Sequence, residues 1–164
     1  MKNKKAIFPG SFDPITLGHI DIIHQGLELF ENIIIGIGIN ESKKHMFNID
    51  DRKDFITSVF KNNKRIVIKQ YSGLTVDFCQ KEKTHYIIRG IRNTTDLEYE
   101  QTISLANHQL NKNVNTVFLS TKKEHTFILS TIVREIILNQ ENLMQNLKHF
   151  VPTTVIKKIE QQFS

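Results

Sequence analysis

The chain has 164 residues, of which 39% are hydrophobic and 24% charged; these proportions fit a soluble globular protein forming one domain over 1–164 and exclude a disordered or collagen-like chain. The formal net charge of +5 favours anionic partners, yet the lysines are scattered, which argues against nucleic-acid binding through a basic tail. The single Cys79 excludes an internal disulfide and fits a reducing, cytoplasmic setting. No apolar run approaches the roughly 18 residues of a membrane span, and the apolar run after basic Lys2 to Lys5 breaks at Pro9, too early for a signal peptide.

The first apolar run, Lys5 to Phe8, predicts a strand that stops at Pro9-Gly10. A helix is expected to begin near Thr16, because Ile20, Ile23, Leu27 and Phe30 recur at helical spacing. Ile33 to Ile39 is nearly continuous apolar sequence and reads as a parallel strand buried on both faces. A loop from Asn40 to Phe47 carries Lys43 and Lys44. Asn48 caps the next helix, whose first turn holds Asp50 and Asp51. Ile66 to Lys69 and Tyr86 to Ile88 read as strands, with a helix from Leu74 to Lys81 between them. A longer helix from about Asp96 to Leu110 is expected to turn Leu97, Ile103 and Leu110 inward. Thr116 to Leu119 is the fifth strand. A helix carrying Ile132, Val133, Ile136 and Ile137 follows Thr126, and two helical pieces, Leu143 to Phe150 and Thr153 to Phe163, end the chain around Pro152.

This alternation predicts an α/β fold, a doubly wound, Rossmann-like parallel sheet of about five strands with C-terminal helices. With strands ordered 3-2-1-4-5, ligands would bind beyond the carboxyl ends of strands one and four, where the winding reverses. The two loops richest in polar groups, Gly10 to His19 and Arg89 to Arg92, follow those strands. The first has a Gly-containing turn feeding a helix, which offers free N–H groups and the positive end of a helix dipole to an anion. Gly18 permits close approach to the backbone, and His19 falls in the first helical turn. Standard phosphate fingerprints are missing: Gly36 and Gly38 form a GxG, but position 41 is Glu, and no GxxxxGK[ST] occurs.

The candidate polar groups, Ser11, His19, Lys43, Arg89, Arg92, Ser130 and Thr131, are mostly hydrogen-bond donors, with Glu100 the main carboxylate. Hydrolases relying on acid/base pairs or an activated nucleophile need signatures that are missing here. Clustered donors suit nucleotidyl or phosphoryl transfer, which depends on positioning and on stabilising negative charge. Each group also has a plainer reading. Lys43 and Lys44 are as readily a solvated loop pair, Arg89 and Arg92 could pair with Asp96, Glu98 or Glu100, and Ser130 and Thr131 could be helix caps. Histidines 24, 45, 85, 108 and 149 lack metal-ligand spacing and read as structural or exposed.

Gly10-Ser11-Phe12-Asp13-Pro14 followed by Thr16-Leu17-Gly18-His19 resembles the (H/T)xGH signature of the nucleotidylyltransferase superfamily. From about Lys5 to the last helix the chain is very similar to the bacterial phosphopantetheine adenylyltransferases. That resemblance implies transfer of the adenylyl group of ATP to 4′-phosphopantetheine, giving dephospho-CoA and pyrophosphate. By the same resemblance His19 stabilises charge on the α-phosphate, and Lys43 and Arg89 join it as catalytic residues. Ser11, Lys43 and Arg89 hold the acceptor phosphate, while Leu74 and Thr75 line the pantetheine arm. ATP falls to Gly10, Ser11, Phe12 and His19, to Gly90, Ile91, Arg92 and Glu100, and to His125, Thr126, Phe127, Ile128, Leu129, Ser130 and Thr131. Magnesium is implied as a companion of ATP, held by phosphates and water rather than by protein ligands. The resemblance also implies a homohexamer and feedback by CoA. Leu129 stands where a small hydroxyl residue is usual, His125 where Tyr or Trp is usual, and Thr75 is smaller than some members carry. Rivals are an adenylyltransferase for another acceptor such as nicotinamide mononucleotide, suggested by Ser130 to Arg134, and a nucleotide-binding module without catalysis.

Overall fold

The computed structural model describes residues 4–40, 42–139 and 142–163. Glu41, on which the GxG argument turns, and Lys2 lie outside the described residues. Five strands, β1 (Lys5–Gly10), β2 (Asn32–Ile39), β3 (Ile66–Ser72), β4 (Tyr86–Ile91) and β5 (Asn115–Ser120), form one sheet in the order β3-β2-β1-β4-β5. All neighbours are parallel, as the alternation of strands and helices requires. The continuous apolar run of β2 is explained by its two faces. Ile33, Ile35 and Ile37 join the larger core, while Ile34 joins a smaller one with Ile7, Val76, Phe78, Cys79 and Ile87 on the opposite face. Cys79 is buried there, and burial pushes its thiol up to about 11, so it is an inert core residue.

The helices are α1 (Leu17–Leu29), α2 (Ile49–Phe60), α3 (Thr75–Lys81), α4 (Thr94–Leu110), α5 (Ser130–Asn139), α6 (Leu143–Leu147) and α7 (Thr153–Phe163). Asn48 caps α2 as expected, Thr16 caps α1 where the helix was expected to begin, and Asn93 caps α4 by accepting the Asp96 N–H. No helix among the described residues is long and apolar enough to cross a membrane.

Several boundaries move. Pro9-Gly10 and Arg89-Gly90-Ile91 belong to strands rather than to the loops after them, because parallel pairing with Gly36-Ile37 and with Phe118 to Ser120 continues through them. Strand β3 likewise runs on to Ser72, in register with β2 as far as Ile39. Helix α6 ends at Leu147 instead of Phe150, since the N–H groups of Phe150 and Val151 turn back to the Leu147 carbonyl. The expected inner face of α4 is not inner. Glu100 is its one buried residue among those described, and Leu97, Ile103 and Leu110 are exposed, Leu110 by 60%. The apolar side chains of α4 are spread around the helix instead of forming one stripe, so packing on the sheet cannot cover them all.

β1 and β4 share a single register pair, Ile7 with Ile87, whereas the other neighbours pair along their length. The sheet therefore opens between its two central strands toward their carboxyl ends. That is the reversal point of the winding, where an α/β sheet offers a crevice.

Candidate active site

The crevice has two halves that share Pro9, Gly10, Ser11, Arg89 and Glu100. The larger, about 810 Å³, is walled by the ends of β2 and β3, the loop bearing Lys43, and Tyr99, Ile103 and Asn107 at helical spacing along α4. The smaller, about 370 Å³, is walled by Phe12, Gly18, His19, Gly90, Arg92 and the start of α5. Both are of the size that small-molecule ligands occupy.

The chain turns sharply after β1. Phe12 takes a left-handed backbone conformation, φ 49°, which for a bulky residue is strained by about 1–3 kcal/mol. It persists because the ring is buried edge-on against Phe8 and His19. Gly10 is needed beneath it, since a Cβ there would come to 3.0 Å from the Phe12 ring. Arg52 on α2 donates to the Ser11 carbonyl at 2.9 Å, and Arg134 on α5 donates to the Asp13 carbonyl at 2.8 Å. Two helices thus pin the loop that carries Ser11.

His19 occupies the third position of α1, where it completes a capping box with Thr16. The Thr16 N–H donates to His19 Nδ1 at 3.1 Å, and the His19 N–H to Thr16 Oγ1 at 3.4 Å. An Nδ1 that accepts leaves the ring proton on Nε2. Desolvation, reinforced by the positive charges of Arg92 and Arg89, lowers the imidazole pKa to about 4. At neutral pH the ring is an uncharged N–H donor lining the smaller half, beside Gly18, where an added Cβ would meet only ordinary contacts, the nearest at 3.7 Å.

Arg89 bridges the opening between the central strands. Its Nη1 donates to the Pro9 carbonyl at 2.6 Å, while Nε (2.7 Å) and Nη2 both bond the Glu100 carboxylate. Arg92 is held in the same manner by Asp96, at 2.7 and 3.1 Å. Burial works against ionisation of Asp96, but the Arg92 bonds and charge outweigh it and hold the carboxyl below its usual range. Ion pairing and cleft lining therefore coexist in both arginines. Of five guanidinium N–H donors, Arg89 keeps two beyond the three engaged here. Lys43 stands exposed at the rim of the larger half, with no ion-pair partner among the described residues.

The crevice brings together most of the sequence candidates. Ser11, Lys43, Thr75, Arg89 and Glu100 line the larger half; Gly10, Ser11, Phe12, His19, Gly90, Arg92, Glu100, His125, Ile128, Leu129, Ser130 and Thr131 line the smaller. Four do not join them. Leu74 is 54% exposed outside the lining, Ile91 lies past the crevice at the end of β4, the Thr126 hydroxyl bonds the Lys123 carbonyl, and Phe127 packs on Phe150. The Ser130 hydroxyl donates to the Pro14 carbonyl at 3.2 Å, and Thr131 Oγ1 accepts from Arg134 at 3.1 Å. The Ser130 hydroxyl thus ties α5 to the loop after β1, and the Thr131 hydroxyl holds Arg134 one turn along the same helix.

Sequence reasoning missed Asp21, Arg52 and the carboxylate of Asp13. Asp21 is buried on α1, accepts the Lys122 N–H at 3.0 Å and lies 3.5 Å from His125 Nδ1. Burial opposes its ionisation, but the Lys122 N–H bond, the nearby Gln25 and His125 side chains and the Lys122 charge hold the carboxyl below its usual range. Its place on the inner stripe of α1, beside Ile22, was the available signal. No cluster of three or more potential metal ligands occurs among the described residues.

Donors converging on a crevice at the reversal point of a parallel sheet define a nucleotidyl-transfer class of site, and the comparisons agree. The family described as cytidylyltransferase-like matches residues 7–136. Among solved structures, Plasmodium falciparum nicotinic acid mononucleotide adenylyltransferase complexed with NaAD superposes with a TM-score of 0.72 over 98% of this chain and 96% of that one, at 19% identity, a likeness of fold. Curated relatives narrow the class. The phosphopantetheine adenylyltransferase of Flavobacterium johnsoniae is 50% identical over 134 residues, 82% of this chain and 88% of the relative. Those of Christiangramia forsetii and Bacteroides thetaiotaomicron are each 43% identical, covering 94% and 91% of this chain and 99% and 95% of theirs. The chain belongs to the phosphopantetheine adenylyltransferase family.

Proposed function

We propose that this enzyme transfers the adenylyl group of ATP to 4′-phosphopantetheine, producing dephospho-CoA and pyrophosphate, the step of coenzyme A biosynthesis that its relatives are named for. The observation that carries the reading is the neutral, Nε2-protonated His19 lining the smaller half together with Ser11 and Arg89, which both halves share. ATP occupies the smaller half, between Phe12, Gly90, Arg92 and the start of α5. The acceptor extends through the larger half along Thr75, with its phosphate toward Ser11, Lys43 and Arg89. An acceptor phosphate oxygen attacks the α-phosphorus, the bond from that phosphorus to the bridging oxygen breaks, and pyrophosphate leaves with the electron pair. The attacking group is already an anion, so no general base is needed. His19 and Lys43 donate to oxygens that gain charge in the transition state. Glu100, the carboxylate shared by both halves, is taken up by Arg89, a donor set that suits magnesium travelling on the nucleotide phosphates and water.

The exposed Leu97 and Leu105, on one side of α4, support assembly of further copies, a homohexamer in this reading. CoA, which contains the parts that both substrates contribute, would compete for this crevice as a feedback ligand, and the lone buried Cys79 accords with a cytoplasmic enzyme. The test is pyrophosphate release from ATP with 4′-phosphopantetheine, nicotinamide mononucleotide or nicotinic acid mononucleotide as acceptor. Release with phosphopantetheine alone is expected. Release with either mononucleotide instead, or ATP binding without turnover, would overturn the reading.

A further inference from the structure

The scheme above leaves unused a buried carboxylate on the loop between β1 and α1. Asp13 is 2% exposed. Its Oδ2 accepts the N–H of Met46 and its Oδ1 the N–H of Phe47, both at 2.9 Å, from residues 33 and 34 positions along the chain. Those residues end the loop that follows β2. Its other end is fixed by Asn40, whose Oδ1 accepts the Ser42 N–H (3.0 Å) and hydroxyl (2.6 Å) and whose carbonyl accepts the Lys43 N–H (3.1 Å). Lys43 lies between the two anchors.

Asp13 is itself immobilised. Arg134 Nη1 donates to its carbonyl at 2.8 Å and sits 3.8 Å from Oδ2, while His45 Nδ1 lies 3.5 Å from the same oxygen. An aspartate that merely closed a turn would bond its own neighbours. This one fastens the loop after β2 to the loop after β1, the segments that bring Lys43 and Ser11 to the crevice. A lysine on an untethered loop would give up backbone and side-chain freedom each time it met a phosphate. Clamping the backbone beforehand removes much of that loss.

We infer that Asp13 is a positioning residue that sets the ammonium of Lys43 against Ser11 and Arg89; the inference rests on the role given to Lys43 above. The experiment compares Asp13→Asn, Lys43→Ala and the double variant in pyrophosphate release, varying phosphopantetheine and ATP separately. Asparagine preserves size and one acceptor oxygen but turns an N–H toward a backbone donor. Asp13→Asn is expected to lose about tenfold or more in kcat/KM for phosphopantetheine, with KM for ATP within about twofold. Added to Lys43→Ala, it should cost no more than about twofold further, because the group it positions is gone. Wild-type kinetics for Asp13→Asn, or a double variant that multiplies the two single losses, would overturn the inference. Full activity in Lys43→Ala would instead overturn the assignment of Lys43 and the positioning with it. Hydrogen exchange on the unsubstituted protein keeps the test open if Asp13→Asn fails to fold. The Met46 and Phe47 amides should exchange at least about a hundredfold more slowly than free-loop amides, and free-loop rates would overturn the clamp.

Discussion

Protonating His19 should cost the fold. In the unfolded chain the imidazole titrates at 6.5, while in the folded protein burial and two arginines bring it to about 4. Above pH 6.5 both states are neutral and the group contributes no pH dependence. As pH falls from 6.5 toward 4 the unfolded state takes up a proton that the folded state refuses, so stability drops over that window. The full difference corresponds to about 3 kcal/mol, and screening at a half-buried ring reduces it to about 2 kcal/mol. Asp21 and Asp96, both depressed from 3.8, lose their contribution only below that value and leave the window clear. Urea unfolding of the wild type and of His19→Ala at pH 7.0, 5.5 and 4.5 isolates the effect. Removal of the capping box lowers the variant by a pH-independent amount, about 1 kcal/mol. On acidification the wild type should lose about 2 kcal/mol more than the variant. Parallel curves would show that His19 titrates normally, and the argument for a neutral donor would fail.

Further outcomes follow from packing. Gly18→Ala should fold with unchanged or slightly raised stability, since its Cβ meets nothing nearer than 3.7 Å, yet should weaken ATP binding at least about tenfold by calorimetry, because that Cβ enters the nucleotide half. Unchanged ATP affinity would remove Gly18 from the site. Gly90→Ala should lower stability by about 1–3 kcal/mol, its Cβ falling 2.7 Å from Ile22 on α1; a neutral result in thermal denaturation would refute that packing. Arg89→Ala should raise KM for phosphopantetheine and also destabilise the fold by about 2 kcal/mol, because Glu100 is left buried without its partner. An unchanged KM would exclude Arg89 from the acceptor site.

Most of the architecture was legible in the sequence because it rests on local periodicity. Helix α1 begins beside Thr16 and Asn48 caps α2 as expected, the apolar run of β2 is buried on both faces, and the strand order assumed from alternation is the one observed. Strand ends were less legible, since Pro9 and Gly90 read as breakers while the neighbouring strands carry pairing through them. Helix α4 misled for a different reason. Its apolar residues imply burial, but what covers Leu110 is not decided within one chain. The long-range polar contacts were invisible: nothing near Asp13 announces Met46 and Phe47 as partners, nor anything near Arg52 the Ser11 carbonyl. Resemblance marked His19, but its charge state depends on burial in the fold and, beyond that, on Arg92 and Arg89, some 70 positions away, which only the fold brings beside it.

The most direct measurement is the single-turnover rate of AMP transfer by wild type and His19→Ala, with ATP and phosphopantetheine both saturating and ATP affinity measured separately. A loss of at least about a hundredfold in the rate of the chemical step, with the ATP dissociation constant within about threefold, is the predicted result. A variant that turns over like the wild type, or one whose entire loss lies in ATP binding, would contradict the claim that a neutral imidazole at this crevice stabilises the reacting phosphate.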